Sequence, residues 1–372
     1  MVSLLLQHKK LEQSIFNAIQ QVMESSQFIK GGEVSVFENK LAEYLNIHYL
    51  IGCANGTDAL QIALMALELH PGDEVIVPAF TYVATAEVIA LLGLVPVMVD
   101  VDEKTFNISI SGISQAITSR TRAIIPVHLF GQCADMEPLM KLAEENHLFV
   151  IEDNAQSLGA TYTFSDGTTK MAGTIGHIGC TSFFPTKNLG CMGDGGALMT
   201  NDPVLAEKIR MIANHGQQKK YIHKVVGCNS RLDTIQAAIL NVKLPYLESY
   251  LQARKAAAKY YLDHLKKCEF ITLPESLSVS LSTFNQFTLK VKKGFRDKLQ
   301  EYLSSKGIPS MIYYPMPLYQ QEAFCNYVPI GFSLPVTESL CKSVLSLPIH
   351  TEMTEEQLEY ITDSIMQFNW DS

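Results

Sequence analysis

The chain has 372 residues, which at about 150 residues per domain suggests two domains. Hydrophobic residues make up 47% and charged residues 18%, ordinary globular usage that excludes a disordered chain. The net charge is −9 with no basic tract, which speaks against nucleic acid or an anionic membrane as partner. Anionic small molecules stay open, because backbone donors bind phosphate locally.

The start, Met1 to Gln7, lacks the basic residues and long apolar core of a signal peptide. The most apolar stretch, Val88 to Val101, is broken by Gly93, Pro96 and Asp100, and is shorter than the roughly 20 residues a membrane helix takes. The Asn-x-Ser/Thr matches at Asn55 and Asn107 read as chance. Eight cysteines form no Cys-x-x-Cys pair and no zinc spacing, and they lie in apolar runs as buried thiols do. A reducing, cytoplasmic setting is expected.

From about residue 55 to 200, short apolar runs alternate with helical patterns. The runs at 74–78, 95–101, 123–128, 148–152, 181–184 and 197–200 read as strands, several apolar enough to be covered on both faces. The segments 58–69, 85–92, 111–117 and 135–146 have helical spacing. This alternation predicts an α/β fold with a doubly wound, mostly parallel sheet. Beyond residue 200, helices are expected at 203–215 and 233–244, then a long one from 246 toward 267. Strands at 287–291 and 309–314 and helices at 294–306 and 355–368 complete the pattern. The division expected is a large α/β domain with its N-terminal segment, 1–245, then a connecting helix and a small C-terminal α+β domain, 246–372.

Four motifs carry chemistry. Ala54-Asn55-Gly56-Thr57-Asp58-Ala59-Leu60 opens a helix with small and polar residues, either an anion-binding N-terminus or an ordinary cap at Thr57 or Asp58. Val150-Ile151-Glu152-Asp153-Asn154-Ala155-Gln156 ends an apolar strand in two carboxylates, where α/β sheets bind ligands; a capping Asp is the plain alternative. Thr181 to Gly190 places Lys187 in a Pro- and Gly-flanked loop after a strand, with few charges nearby. Burial there lowers a lysine pKa and makes the amine nucleophilic, whereas a solvated loop lysine does nothing special. Gly190-Cys191-Met192-Gly193-Asp194-Gly195-Gly196 leads into a strand, not a helix, so it is no dinucleotide loop; its glycines suit close backbone turns near a ligand or a partner chain. A P-loop and a Gly-x-Ser-x-Gly elbow are absent, and the ten histidines show no metal spacing.

Phosphate turn, aromatic loop (Pro78-Ala79-Phe80-Thr81-Tyr82), strand-end Asp and loop Lys follow one another along the α/β domain, and these are the parts needed to hold pyridoxal 5′-phosphate. With Phe28 to Val34, Pro126 to Gly131, Asn229-Ser230-Arg231-Leu232-Asp233, Pro315-Met316-Pro317-Leu318 and Leu345 to Pro348, the sequence resembles the DegT/DnrJ/EryC1/StrS sugar aminotransferases along essentially its whole length. That resemblance implies the aspartate aminotransferase fold and pyridoxal phosphate as cofactor. It makes Lys187 the residue that binds the cofactor covalently and Asp153 the partner of its ring nitrogen. It places Tyr82 on the ring, Gly56, Thr57 and Ser182 on the phosphate, and Gln156 beside the ring hydroxyl. Asn229 would reach the phosphate from a neighbouring subunit, so a homodimer with shared sites is implied.

The implied reaction moves the amino group of L-glutamate to a nucleotide-linked keto sugar. The best subgroup match is to enzymes acting on UDP-linked 3-keto sugars in O-antigen and other surface polysaccharide synthesis; dTDP- or GDP-linked keto deoxysugars are the alternative. Arg231, Tyr313 and Tyr314 are the substrate-side candidates. Tyr313 stands where the subgroup has His, and Tyr319 where many members have His, and either departure would be compatible with a different sugar. Related dehydratases carry His at the lysine position, which Lys187 argues against. A cofactor-binding regulator is the non-enzymatic reading, opposed by the retained Asp153 and Lys187.

Overall fold

The computed structural model describes residues 1–369. Two helices that local pattern did not announce come first, α1 (Leu5–Ser25) and α2 (Gly32–Leu45). Then follow β1 (Tyr49–Cys53), α3 (Gly56–Ala66), β2 (Glu74–Pro78), α4 (Ala84–Leu91), β3 (Val95–Val99), α5 (Ile110–Ala116) and β4 (Thr121–Ile124). Next are α6 (Met136–Glu145), β5 (Phe149–Asp153), a small hairpin β6 (Thr161–Thr163) and β7 (Thr169–Met171), then β8 (Ile178–Ser182), β9 (Gly196–Thr200) and α7 (Pro203–Ile212).

Seven of these strands form one sheet in the order β1-β9-β8-β5-β4-β2-β3. β9 runs antiparallel to both neighbours, and the other pairs are parallel. The apolar runs earn their place: all five residues of β2 and of β9 are buried, because helices cover both faces. One core lies under α3, α4 and α7 and another under α5 and α6.

After α7 comes an exposed hairpin, β10 (Gln217–Lys219) and β11 (Ile222–His223), then α8 (Thr234–Lys243) and the long α9 (Leu247–Leu265). β12 (Ile271–Thr272), β13 (Ser280–Leu281), β14 (Phe287–Val291), α10 (Arg296–Ser305), α11 (Pro335–Ser343), β15 (Val344–Leu347) and α12 (Glu355–Met366) follow. β12, β14 and β15 form a second sheet, whose core gathers buried residues between Ala257 and Phe368. A further apolar cluster joins Phe80, Phe106, Val127 and Phe130 to Leu340, Cys341 and Val344, so the two portions are packed on each other.

The strand expected at 309–314 is not one. It makes a single bridge, Met311 to Ser346. Pro309 and Pro315 bracket it and supply no ladder donors. All eight cysteines are free thiols, and Cys325 is exposed rather than buried. Among the described residues, no helix is long and apolar enough to cross a membrane.

Candidate active site

Five segments converge at the carboxyl edge of the central sheet. β5 ends on Asp153, β8 on Ser182 with Lys187 in the loop beyond, and β1 on Cys53 just before α3. β2 leads into Phe80 and Tyr82, and β9, being antiparallel, starts there with Gly196 paired to both Cys53 and Ser182.

Asp153 is buried at 6% exposure. Its Oδ2 accepts a 2.8 Å hydrogen bond from Thr85 Oγ1 and its Oδ1 one of 3.1 Å from the Ala155 amide. Lys187 is half-buried, in a turn closed by its own amide on the Phe184 carbonyl. Burial lowers its amine to about 8, although the negative charge of Asp153 acts in the opposite direction. At pH 7 roughly a tenth of such amines is neutral and ready to attack a carbonyl.

The two carboxylates that end β5 point apart. Glu152 is wholly buried and accepts from His128 Nε2 (2.7 Å) and the amides of Gly173 (2.8 Å), Ile175 (2.6 Å) and Gly176 (2.6 Å). The other ring nitrogen of His128 accepts from the Ala134 amide, so the proton sits on Nε2. Burial alone would raise Glu152, but these donors outweigh it and hold its carboxyl below the ordinary range. Its stabilisation is present above the unfolded carboxyl pKa and is lost as pH falls through the lowered folded value. Glu152→Ala strands three buried donors and the half-buried Gly176 amide, and an expected loss of about 3–5 kcal/mol is read from the denaturation midpoint.

The anion corner is a helix start. α3 begins at Gly56, and its cap is Asn55, whose side chain accepts from the Asp58 amide at 2.8 Å, rather than Thr57 or Asp58. The helix leaves the amides of Gly56 and Thr57 without partners inside it. Gly56 abuts Ser182 so closely that a Cβ there would lie 2.8 Å from the Ser182 Cβ. Gly196 presses on the Asn55 backbone in the same way, at 2.5 Å, so this glycine of the 190–196 loop serves its own chain's packing. Gly56→Ala must push Ser182 aside, and the expected cost is about tenfold or more in affinity for a phosphate-bearing cofactor, measured by titration of the apoprotein.

Aromatic and amide groups form the remaining wall. Tyr82 is 58% exposed, with its ring 6.4 Å from that of Tyr314. Gln156 is fixed at both ends: Oε1 accepts from the Phe130 amide (2.8 Å) and Nε2 donates to the Tyr314 hydroxyl (3.2 Å). Tyr313 is half-buried beside Tyr314, 5.8 Å between ring centres. Asn188, next to Lys187, donates to the Leu158 carbonyl and the Thr283 hydroxyl, and accepts from the Asn285 side chain. Arg254 of α9, itself buried, donates to the Asn285 carbonyl.

A sequence profile of the DegT/DnrJ/EryC1/StrS aminotransferase family matches residues 9–366. The chain belongs to this family. It is 44% identical over 370 residues to a pleiotropic regulatory protein of Geobacillus stearothermophilus, covering 99% of this chain and 98% of that one. It is also 44% identical to a UDP-N-acetyl-3-dehydro-α-D-glucosamine 3-aminotransferase of Acidithiobacillus ferrooxidans, over 98% of this chain and 96% of the other. The UDP-2-acetamido-2-deoxy-3-oxo-D-glucuronate aminotransferase of Pseudomonas aeruginosa is 44% identical as well, over 95% and 96%. Among solved structures, a DegT/DnrJ/EryC1/StrS aminotransferase from Brucella abortus superposes with TM-score 0.93 at 42% identity, covering 99% of each chain. NtdA from Bacillus subtilis, solved with bound cofactor PMP, superposes with TM-score 0.88 at 32% identity, covering 95% of this chain and 81% of its own.

In this aminotransferase chain, Gly56 meets Ser182, Lys187 feels the charge of Asp153, and Gln156 and Tyr82 both reach Tyr314. Thr57 stands in the first turn beside Gly56. Asn229 and Arg231 flank Ser230, whose hydroxyl accepts from the Ala54 amide (3.0 Å) just ahead of α3. Asn229 is exposed and bridges to Asn214, and no hydrogen bond or ion pair of either residue reaches Lys187, Asp153 or Gln156 among the described residues. Tyr319 does not face a sugar: it is 3% exposed, donates to Glu338 and accepts from the Leu334 amide. Thr85, His128 and Asn188 are the supporting residues that sequence reasoning missed; Thr85 and His128 lay inside quoted motifs, but their partners are far away in the chain.

Proposed function

We propose that this chain is a pyridoxal phosphate-dependent aminotransferase that moves the amino group of L-glutamate to a UDP-linked 3-keto sugar. The observation that carries the reading is geometric: the buried Asp153 at the end of β5, Lys187 in the loop beyond β8 and the tight Gly56–Ser182 contact share one edge of the sheet, with the Asp153 charge acting on the Lys187 amine. The residues present fit the cofactor. The Gly56 cradle leaves no room for a Cβ, first-turn amides and Ser182 supply anion donors, and an amine and a carboxylate stand together beyond. Bound there, pyridoxal phosphate supplies a carbonyl for an amine to attack and a ring that accepts electrons.

The protein's own residues divide the remaining work. Lys187 Nζ holds the cofactor at rest and afterwards takes and returns the proton of the substrate carbon. Asp153 keeps a proton on the ring nitrogen through a charge-assisted hydrogen bond. Gly56, Thr57 and Ser182 would hold the phosphate, Tyr82 would lie against the ring, and Gln156 would sit by the ring hydroxyl. Tyr313, Tyr314 and Arg231 serve the sugar nucleotide, with Tyr313 in place of the subgroup's His shaping which sugar fits.

The active enzyme is a homodimer with shared sites in this reading. Asn229 of the partner subunit completes the phosphate corner. The exposed apolar residues Tyr221, Ile222 and Val226, just ahead of Asn229, support a covered face there. Residues 1–245 act as the cofactor domain and 246–372 as the smaller domain that helps close the site. Cytoplasmic surface polysaccharide synthesis is the setting that the substrate class suits, and both relatives that act on UDP-linked sugars aminate carbon 3.

Purified enzyme offered glutamate and a panel of UDP-, dTDP- and GDP-keto sugars tests the reading, with products identified by mass. Amination of a UDP-3-keto sugar is expected. No amination across the panel would leave the regulatory or dehydratase readings standing instead.

A further inference from the structure

We infer that Thr85 is a positioning residue for the reaction: its hydroxyl fixes the rotation of the Asp153 carboxylate and ties that carboxylate to the helix that follows Tyr82. The inference rests on the proposed cofactor reading. Thr85 is fully buried in the first turn of α4. A threonine inside a helix usually returns its hydroxyl to the carbonyl one turn back. Here it donates at 2.8 Å to Asp153 Oδ2, across 68 residues of sequence. The Ala155 amide occupies Oδ1. Each carboxylate oxygen thus has one fixed donor, so the group cannot turn about its last bond without breaking one of them. The lone pairs left over are those available to a ring nitrogen.

The bond has a second end. Val83 caps α4 and Tyr82 directly precedes it, so the same hydroxyl also anchors the segment that presents the exposed aromatic ring. No other side chain donates to Asp153 among the described residues. Thr85 therefore sets the relation between the face on which a ring would lie and the carboxylate that would meet its nitrogen.

The test compares full-length Thr85→Val, which keeps the shape and loses the hydroxyl, with Thr85→Ser, which keeps the hydroxyl. Apoenzyme is titrated with pyridoxal phosphate, and the glutamate-driven loss of visible absorbance is followed in single turnover. Thr85→Val should bind the cofactor about tenfold or more weakly and react about tenfold more slowly, with the glutamate concentration for half-maximal rate unchanged. Thr85→Ser should recover both to within about threefold of wild type. Overturning results are Val values within about twofold of wild type, or a Ser variant as impaired as Val, which would make the role one of packing. Should the Val variant not fold, Thr85→Ala carries the same comparison with Ser. A wild-type protein that takes up no pyridoxal phosphate defeats the aminotransferase reading itself, before any variant is compared.

Discussion

Lys187→Ala should yield a folded protein without the absorbance band of a lysine-linked cofactor and an amination rate lower by about 10³–10⁴-fold. In the proposed reading two roles disappear together: the covalent hold on the cofactor and the amine that carries the substrate proton. The phosphate corner and Asp153 remain, so cofactor still binds, but reversibly and without the band. Retention of both band and turnover would sink the assignment. The amine's lowered pKa gives a second measurement. Uptake of pyridoxal phosphate by wild-type apoenzyme should climb with pH and level off near pH 8, where the amine becomes mostly neutral. An ordinary lysine would keep climbing toward 10.5. The sign for stability follows from the same shift. Between about 8 and 10.5 the unfolded chain holds the proton that the folded one has released, so the apoprotein gains stability as pH rises through that window. Lys187→Ala removes its share of the gain. Lys243, also buried and lowered to about 8, keeps its own.

Asp153→Ala should cost about 10²–10³-fold in both half-reactions, the scale of losing one fixed charge aimed at a reacting group. The loss should fall on rate more than on glutamate binding, because the proposed reading sets Asp153 against the cofactor rather than the amino acid. Two side effects distinguish this variant from a general loss of fold. The Asp153 charge opposes the lowering of Lys187, so without it the amine pKa drops further and the cofactor-uptake profile levels off at lower pH than in wild type. The Thr85 hydroxyl and the Ala155 amide lose their acceptors, at about 1–3 kcal/mol of stability. An uptake profile that stays in place would break the proposed link between the carboxylate and the amine.

The parts legible in the sequence are those that depend on short stretches. β2 is read from five consecutive buried residues, and Asp153 and Lys187 are found because each lies at or just beyond the end of an apolar strand. The order of motifs then supplies the family. What stays hidden depends on distance along the chain. Gln156 meets Tyr314 across 158 residues, and Thr85 meets Asp153 across 68, and no local pattern encodes either bond. Glu152 and Asp153 look alike as neighbours, yet strand alternation turns one onto a buried loop and the other into the site. Tyr319 shows the converse. In sequence it is a departure from the His of many relatives, but in the fold its hydroxyl is taken up by Glu338 and the Leu334 amide. The β6–β7 hairpin has a local signal of its own, the Asp166-Gly167 turn between short β-prone runs.

The grip on Asn188 has a consequence for anyone who recombines relatives of this enzyme. The peptide bearing Lys187 is held from the C-terminal portion, through Thr283, Asn285 and, behind them, Arg254. The same portion carries Tyr313 and Tyr314. A chimera that imports the C-terminal half of a relative to change the sugar therefore imports a new seat for the lysine as well. If Tyr313 and Tyr314 serve the sugar as proposed, sugar preference and lysine placement are inherited as one block, and a crossover placed between residues 188 and 283 is expected to keep turnover where both parents share the asparagine–threonine–asparagine contact.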